Sequence, residues 1–299
     1  MSVYTGAMGT YPQLTSRSRY PTISHLERDI DLLPINAHHT LDGIRPYTPA
    51  IVPVAGLHIK DDNSELIPKE VQGWLDGSTD GCIYISFGSM VRIEIFPKHI
   101  LDSLFASFKN ISPVRVLMKI AKPEELPANL PKNVMTQSWF PQLQVLKHKN
   151  IKAFVTHGGL MGTQEAMYAG VPLIGIPLFG DQQFNVRSQV RRKVAVSLQI
   201  HEITERSLTS AYKEILNNLS YERNAEKISK EFVDRPISPV ETAVFWVEYV
   251  ARHGKNCLRS PIVDMFWWRA NLIDVNAFIL AAIGIVRLVY IQALVQYSF

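Results

Sequence analysis

Residues 139–182 read WFPQLQVLKHKNIKAFVTHGGLMGTQEAMYAGVPLIGIPLFGDQ, and their order decides the fold. Gln142–Lys147 suits a short helix and Ala153–Thr156 a strand. Gly162–Tyr168 then predicts a helix, Val171–Ile176 a strand, and Asp181–Arg192 a helix. Between the first of these strands and its helix stands Thr156-His157-Gly158-Gly159. Glycines there let the backbone approach an anion, and the helix behind them offers unpaired N–H groups and a positive dipole end. A diphosphate is the natural guest. Taken alone, a Gly-Gly pair after a strand is equally a tight turn, and His157 is equally a structural histidine.

The same alternation continues outward. Cys82–Phe87 (CIYISF) is a strand running into Gly88-Ser89. Pro97–Lys109 has helical spacing, with Ile100, Leu101, Leu104, Phe105 and Phe108 on one face and Pro97 in the first turn. Val114–Ile120 and Asn133–Trp139 are two more strands, and Ala195–Gln199 closes the set. Helices near 204–218, 221–232 and 239–252 follow. Strands separated by helices imply an α/β fold, a Rossmann-like doubly wound parallel sheet with ligands at the carboxyl ends of its strands. Ahead of it, the Pro-rich passage Arg45–Pro53 favours extended backbone, as in a linker, and Val54–Ile59 reads as a short strand leaving it. Residues 1–44 are polar and irregular.

Bulk properties exclude several functions. A net charge of +4 and a densest basic run of only Arg191-Arg192-Lys193 argue against nucleic acid as a partner. Cys82 sits in an apolar strand and reads as a small core residue; Cys257 lies in a polar stretch. The pair makes neither a disulfide framework nor a metal site. Asn110-Ile-Ser112 and Asn218-Leu-Ser220 fit the N-glycosylation sequon, which matters only in a lumenal protein. Met1–Gly6 has no signal-peptide character. No G-x-G-x-x-G follows the first strand, which disfavours a soluble dehydrogenase.

The carboxyl end differs. Ala277–Val295 is nearly all apolar and long enough for a transmembrane helix. Arg287 near its middle costs roughly 2.5–3.5 kcal/mol, which the surrounding Leu, Ile, Val and Phe offset. Trp267 and Trp268 suit an interface just before it. A buried amphipathic helix is the other reading.

Trp139-Phe140-Pro141-Gln142, His157-Gly158-Gly159, Glu165 and Pro177-Leu178-Phe179-Gly180-Asp181-Gln182 form one ordered set. It resembles the signature of the UDP-glycosyltransferases, which include the UDP-glucuronosyltransferases. Phe87-Gly88-Ser89 is similar to that family's phosphate-facing loop, and Asp234-Arg235-Pro236 and Val244–Val250 to its closing segment before a membrane anchor. The resemblance runs from about Ile35 to about Leu280. It implies the carboxyl-terminal domain of a GT-B fold and these roles: Trp139 stacks on uracil, Gln142 bonds the nucleoside, and Glu165 accepts from the ribose hydroxyls. Ser89, His157 and the backbone from Gly158 through Gly159 to Gly162 hold the diphosphate, and Asp181 and Gln182 hold the sugar. Lys119 is a weaker phosphate candidate. Many members carry Asn where this chain has Met161; the surrounding motif is closer to arthropod-like members.

The resemblance further implies residues 1–44 as a remnant of the acceptor-binding domain, 45–256 as the UDP-sugar-binding domain, and 257–299 as a juxtamembrane segment with the span at about 277–295. It implies inverting transfer of glucose or glucuronate from the UDP donor to small lipophilic acceptors, with no cofactor, and the motif tilts toward glucose. The family's base is a histidine in the acceptor domain; His25, His38, His39 and His58 fall outside that motif, and His38 matches a structural segment. The literal chain is therefore expected to bind UDP-sugar poorly and to transfer little or nothing by itself. The alternative is an inactive nucleotide-sugar-binding or partner subunit, forming oligomers with itself or with relatives. Family membership implies the endoplasmic reticulum membrane with the large domain lumenal. Arg252, Lys255, Arg259 and Arg269 before the span would, by the positive-inside rule, place that side in the cytosol.

Overall fold

In a computed structural model, residues 21–62, 64–127 and 129–297 are described. The Met1–Gly6 start and the end at Phe299 lie outside them. The chain divides into two compact units, the larger made of Ile35–Pro46 and Pro53–Val244. The other takes the described residues of Met1–Pro34, Tyr47–Val52 and Phe245–Phe299.

The larger unit is built on six parallel strands: β1 (Cys82–Ile85), β2 (Arg115–Lys119), β3 (Val134–Gln137), β4 (Ile151–Thr156), β5 (Leu173–Gly175) and β6 (Ala195–Ser197). Their order across the sheet is β3-β2-β1-β4-β5-β6. That is the doubly wound order, with a switch point between β1 and β4 where the connections leave in opposite directions. Side chains on a strand alternate between faces. Ile83, Ile85, Val116, Met118, Ala153, Val155 and Ile174 accordingly enter one core. Cys82, Tyr84, Leu117, Phe154 and Leu173 enter the other. Both faces are covered at the centre of the sheet, so β1 reads as an unbroken apolar run.

The helices of this unit are α1 (Lys69–Asp76), α2 (Lys98–Asn110), α3 (Gln142–Leu146), α4 (Leu160–Ala169), α5 (Gln182–Arg191), α6 (Glu205–Asn217) and α7 (Ser220–Val233). α8 (Pro239–His253) follows. α2 starts behind Pro97 and buries Ile100, Leu101, Leu104, Phe105 and Phe108, spaced three and four apart. Thr204 and Ser207 form a reciprocal capping box at α6. α4 ends on Gly170 in the left-handed region, φ 72°.

Three differences from the sequence reading have local causes. The short strand is Ile51–Pro53, paired with Leu33–Ile35, and not Val54–Ile59. Residues 54–59 turn instead: Gly56 takes φ +85° and its N–H donates to Gln164 Oε1 at 3.0 Å. Residues 21–44 contain ordered pieces, the helices Ile23–Arg28 and His39–Asp42 and the strand Leu33–Ile35. Helix α1 has no counterpart in the sequence reading; it carries a mid-helix Gly73, a poor helix former, and only Val71 and Leu75 are buried.

His38 is structural. Its imidazole accepts from Thr40 N–H at the start of His39–Asp42 and meets Phe232 edge-on, ring centroids 5.1 Å apart. Burial, then the Arg235 guanidinium and His39, lower its pKa to about 4. The unfolded chain protonates this group near pH 6.5 and the folded chain only near 4. Between those values the unfolded state holds the extra proton, so stability falls as pH drops through that window. We expect a loss of about 2 kcal/mol at pH 5 relative to pH 7.5 from this residue. Urea titrations at both pH values should show His38→Phe flattening that dependence; an unchanged slope would refute it.

The other unit contains α9 (Ile273–Tyr297), 25 residues long, whose most apolar 18-residue stretch has a mean hydropathy of 2.2. At 1.5 Å per residue it exceeds the thickness of a hydrocarbon core. By length and composition it can cross a membrane.

Candidate functional site

A cleft of about 660 Å³ opens at the carboxyl ends of β1, β2, β3 and β4, beside the switch point. β1 delivers Tyr84 from its length, then Ser86, Gly88 and Ser89; β2 ends on Lys119. The chain leaving β3 places Trp139, and α3 begins on Gln142. β4 ends on Thr156, followed by His157 and Gly159, and α4 contributes Gly162 and Glu165. His58, Ile59, Lys60, Ser64 and Glu65 close one side.

Trp139 is 63% exposed, so it is no core residue. The Lys119 ammonium sits 4.5 Å from the centre of its ring and donates to the Gly88 carbonyl at 3.3 Å. Lys119 is thus aimed into the cleft and is not a loose strand end; burial pushes its pKa down. Glu165 is equally inward. Its Oε2 accepts from Gln142 Nε2 at 2.6 Å, and its Oε1 lies 3.5 Å from His58 Nε2. Gln142 Oε1 in turn accepts from the buried Tyr84 hydroxyl at 3.3 Å.

The turn before α4 is shaped by glycine. Gly158 has φ +81°, and a Cβ there would stand 2.4 Å from Val186 Cγ2. A Cβ on Gly159 would stand 2.6 Å from His157 Nε2, and one on Gly88 3.2 Å from His157 Cε1. The imidazole is therefore seated between two glycines. Burial holds its pKa below the usual imidazole range, against the upward pull of Asp181. Gly159 caps α4 without a side-chain bond, which leaves first-turn N–H groups available to an anion.

Ser89, Trp139, Gln142, His157, Gly159, Gly162 and Glu165 share the cleft. Gly158, within the turn itself, and Asp181 and Gln182 are outside its lining. Asp181 accepts from Asn185 Nδ2 at 2.8 Å, and that amide also donates to the Gly158 carbonyl. Gln182 is buried, and its Oε1 accepts from the N–H groups of Leu178 and Phe179 at 2.8 and 3.0 Å. The sequence reading did not bring in Tyr84 or His58. Tyr84 was hidden in an apolar strand, and His58 arrives from more than a hundred residues away from Glu165.

Comparisons with known proteins follow the same outline. The family model described as "UDP-glucoronosyl and UDP-glucosyl transferase" matches residues 17–299. A UDP-glycosyltransferase of Dactylopius coccus is 38% identical over 91% of this chain and 51% of its own length. A UDP-glucuronosyltransferase of Oryctolagus cuniculus is 34% identical over 89% of this chain and 52% of its own. The chain thus spans about half the length of the curated relatives it matches. Among solved structures, a UDP-glucose:anthocyanidin 3-O-glucosyltransferase in complex with UDP shares the fold with a TM-score of 0.61 and 23% identity. It covers 74% of this chain and 54% of that one. A glycotransferase of kitacinnamycin gives 0.58 at 21% identity, over 73% of this chain and 54% of that one. The sheet is that of a GT-B glycosyltransferase half, and the chain belongs to the UDP-glucuronosyl and UDP-glucosyl transferase family.

Proposed function

We propose that the cleft binds a UDP-sugar and that this chain is the donor-binding part of a UDP-hexosyltransferase. One observation carries the reading: an exposed indole, a carboxylate gripped by donors, and a glycine-shaped helix N-terminus line a single cleft. Trp139 offers a face to uracil, and Gln142 and Glu165 offer polar groups to the ribose. Ser89, His157 and the N–H groups between Gly159 and Gly162 take the diphosphate. His157, neutral in the free protein, gains a proton more readily beside that anion and donates to the departing UDP. Gly158 acts by clearance, letting α5 close against the turn. Asp181 and Gln182 are assigned to the sugar; with Gln182 Oε1 already held, a hydroxyl meets the amide's donor end.

Calorimetry on the 299-residue chain tests this. UDP-glucose should bind and NADH should not; the reverse order would refute the assignment. Trp139→Ala should weaken UDP by about 10–100-fold, the value of one base stacked on an aromatic platform. Its unfolding midpoint should stay put, because the indole is mostly exposed.

Inverting transfer to small lipophilic acceptors, glucose as donor sugar, and a lumenal large unit at the endoplasmic reticulum belong to the same proposal. The matched family covers both glucuronosyl and glucosyl transferases, and α9 suits an anchor. Competition of UDP-glucose with UDP-glucuronate decides the sugar. Protease protection on microsomes decides the side, and digestion of the large unit in sealed vesicles would rule out the lumen.

A further inference from the structure

Glu165 does not stand alone at the cleft. Its helix is tied to the turn at 55–58 by the Gly56 N–H bonded to Gln164, the neighbouring residue. That turn delivers His58. The imidazole Nε2 lies 3.2 Å from the Met161 carbonyl oxygen and 3.5 Å from Glu165 Oε1. A carbonyl can only accept, so Nε2 carries the hydrogen and donates it to Met161, with the Glu165 carboxylate beside it at ion-pair distance. Glu165 Oε2 is held from the opposite side by Gln142, itself oriented by the Tyr84 hydroxyl. Both histidine and glutamate side chains are largely buried, at 16% and 18% exposure, so water competes little with these contacts. Each carboxylate oxygen has two acceptor directions. Gln142 takes one acceptor direction of Oε2 and the His58 ring stands beside Oε1, so the carboxylate keeps acceptor directions for two adjacent hydroxyls.

We propose that His58 is a positioning residue that fixes the Glu165 carboxylate for the two ribose hydroxyls of the donor nucleotide. The proposal deepens the UDP-sugar reading and rests on it. His58 touches no substrate in this account. It removes the rotational freedom of the carboxylate before the nucleotide arrives, so the ribose need not order it on binding. Loss of the imidazole then weakens recognition of the diol and leaves base stacking and diphosphate binding intact.

The test compares UDP with 2′,3′-dideoxy-UDP by calorimetry on the 299-residue chain. The unsubstituted chain should bind UDP better than the dideoxy nucleotide. His58→Ala should bind UDP about five- to tenfold more weakly, the span of one positional coupling, with dideoxy-UDP unchanged. His58→Gln should recover most of the loss, since its amide nitrogen reaches the place of Nε2. Adding His58→Ala to Glu165→Ala should cost nothing more. A His58→Ala chain that weakens both nucleotides equally, or neither, overturns the proposal while the donor reading stands. Failure of the unsubstituted chain to bind UDP at all sinks the donor reading first, and this inference with it. Equal binding of both nucleotides by that chain overturns the diol role alone.

Discussion

Glu165→Ala should weaken UDP binding by about 100- to 1,000-fold, with little change in the unfolding midpoint. A hydrogen bond to a charged acceptor is worth roughly 1.5–3 kcal/mol, and the carboxylate offers two of them to a diol. Both would be lost together, which at the lower part of that range comes to about 3–4 kcal/mol on the affinity scale. The truncation also strands Gln142 Nε2, which donates to Glu165. Glu165→Gln should fall between: it keeps the volume but turns one acceptor into a donor facing the donor of Gln142. Stability should change little because the side chain borders the open cleft. Titration calorimetry with UDP measures the effect, and a loss smaller than tenfold would contradict the ribose assignment.

Gly158→Ala should act on the fold itself. The position needs φ +81°, and the new methyl would sit 2.4 Å from Val186 Cγ2 and 3.3 Å from the Gln182 carbonyl oxygen. The left-handed conformation costs an L-residue roughly 1–2 kcal/mol. Forcing a methyl into packed surroundings adds about 1–3 kcal/mol. The neighbour cannot retreat easily, since Gly175 meets the same valine: a Cβ there would be 2.5 Å from Cγ2. For a unit of this size the total corresponds to a drop of about 5–15 °C in the unfolding midpoint. Val186→Ala in the same chain should recover the packing share and leave the backbone share. Thermal unfolding followed by circular dichroism separates them; a Gly158→Ala midpoint within a degree or two of the parent would refute the close approach.

The sheet was legible because its strands are buried on both faces. CIYI, RVLMK and IKAFVT each stand out as short apolar runs between polar turns. Their ends were less legible. Asn133–Trp139 reads as one strand, yet pairing stops at Gln137, opposite Lys119, and Trp139 turns away into the cleft. The linker side was misread for a non-local reason: the bond that bends Gly56 comes from Gln164, which no window around Gly56 contains. Helix α1 carries too few apolar positions to announce itself.

The site divides along the same line. Trp139 and His157 come from the turns that follow two strands, and Gln142 and Glu165 from the helices after those turns, where an ordered motif betrays them. Tyr84 and His58 matter through what they touch across the fold, and composition does not mark them. Asp181 and Gln182 are adjacent to the motif in sequence but bond to Asn185 and to the 178–179 backbone, outside the cleft lining.

The place of β1 between β2 and β4 has a consequence for synthesis. One flank of Cys82–Ile85 is satisfied soon after it leaves the ribosome, by the strand that follows it in the chain. The other must wait while β3 and α3 are made. Until Ile151–Thr156 emerges, four consecutive residues destined for complete burial present a bare ladder of N–H and C=O groups. Such an edge invites pairing with other chains. Nascent chains stalled between Gln137 and Ile151 should therefore be the aggregation-prone intermediates of this protein.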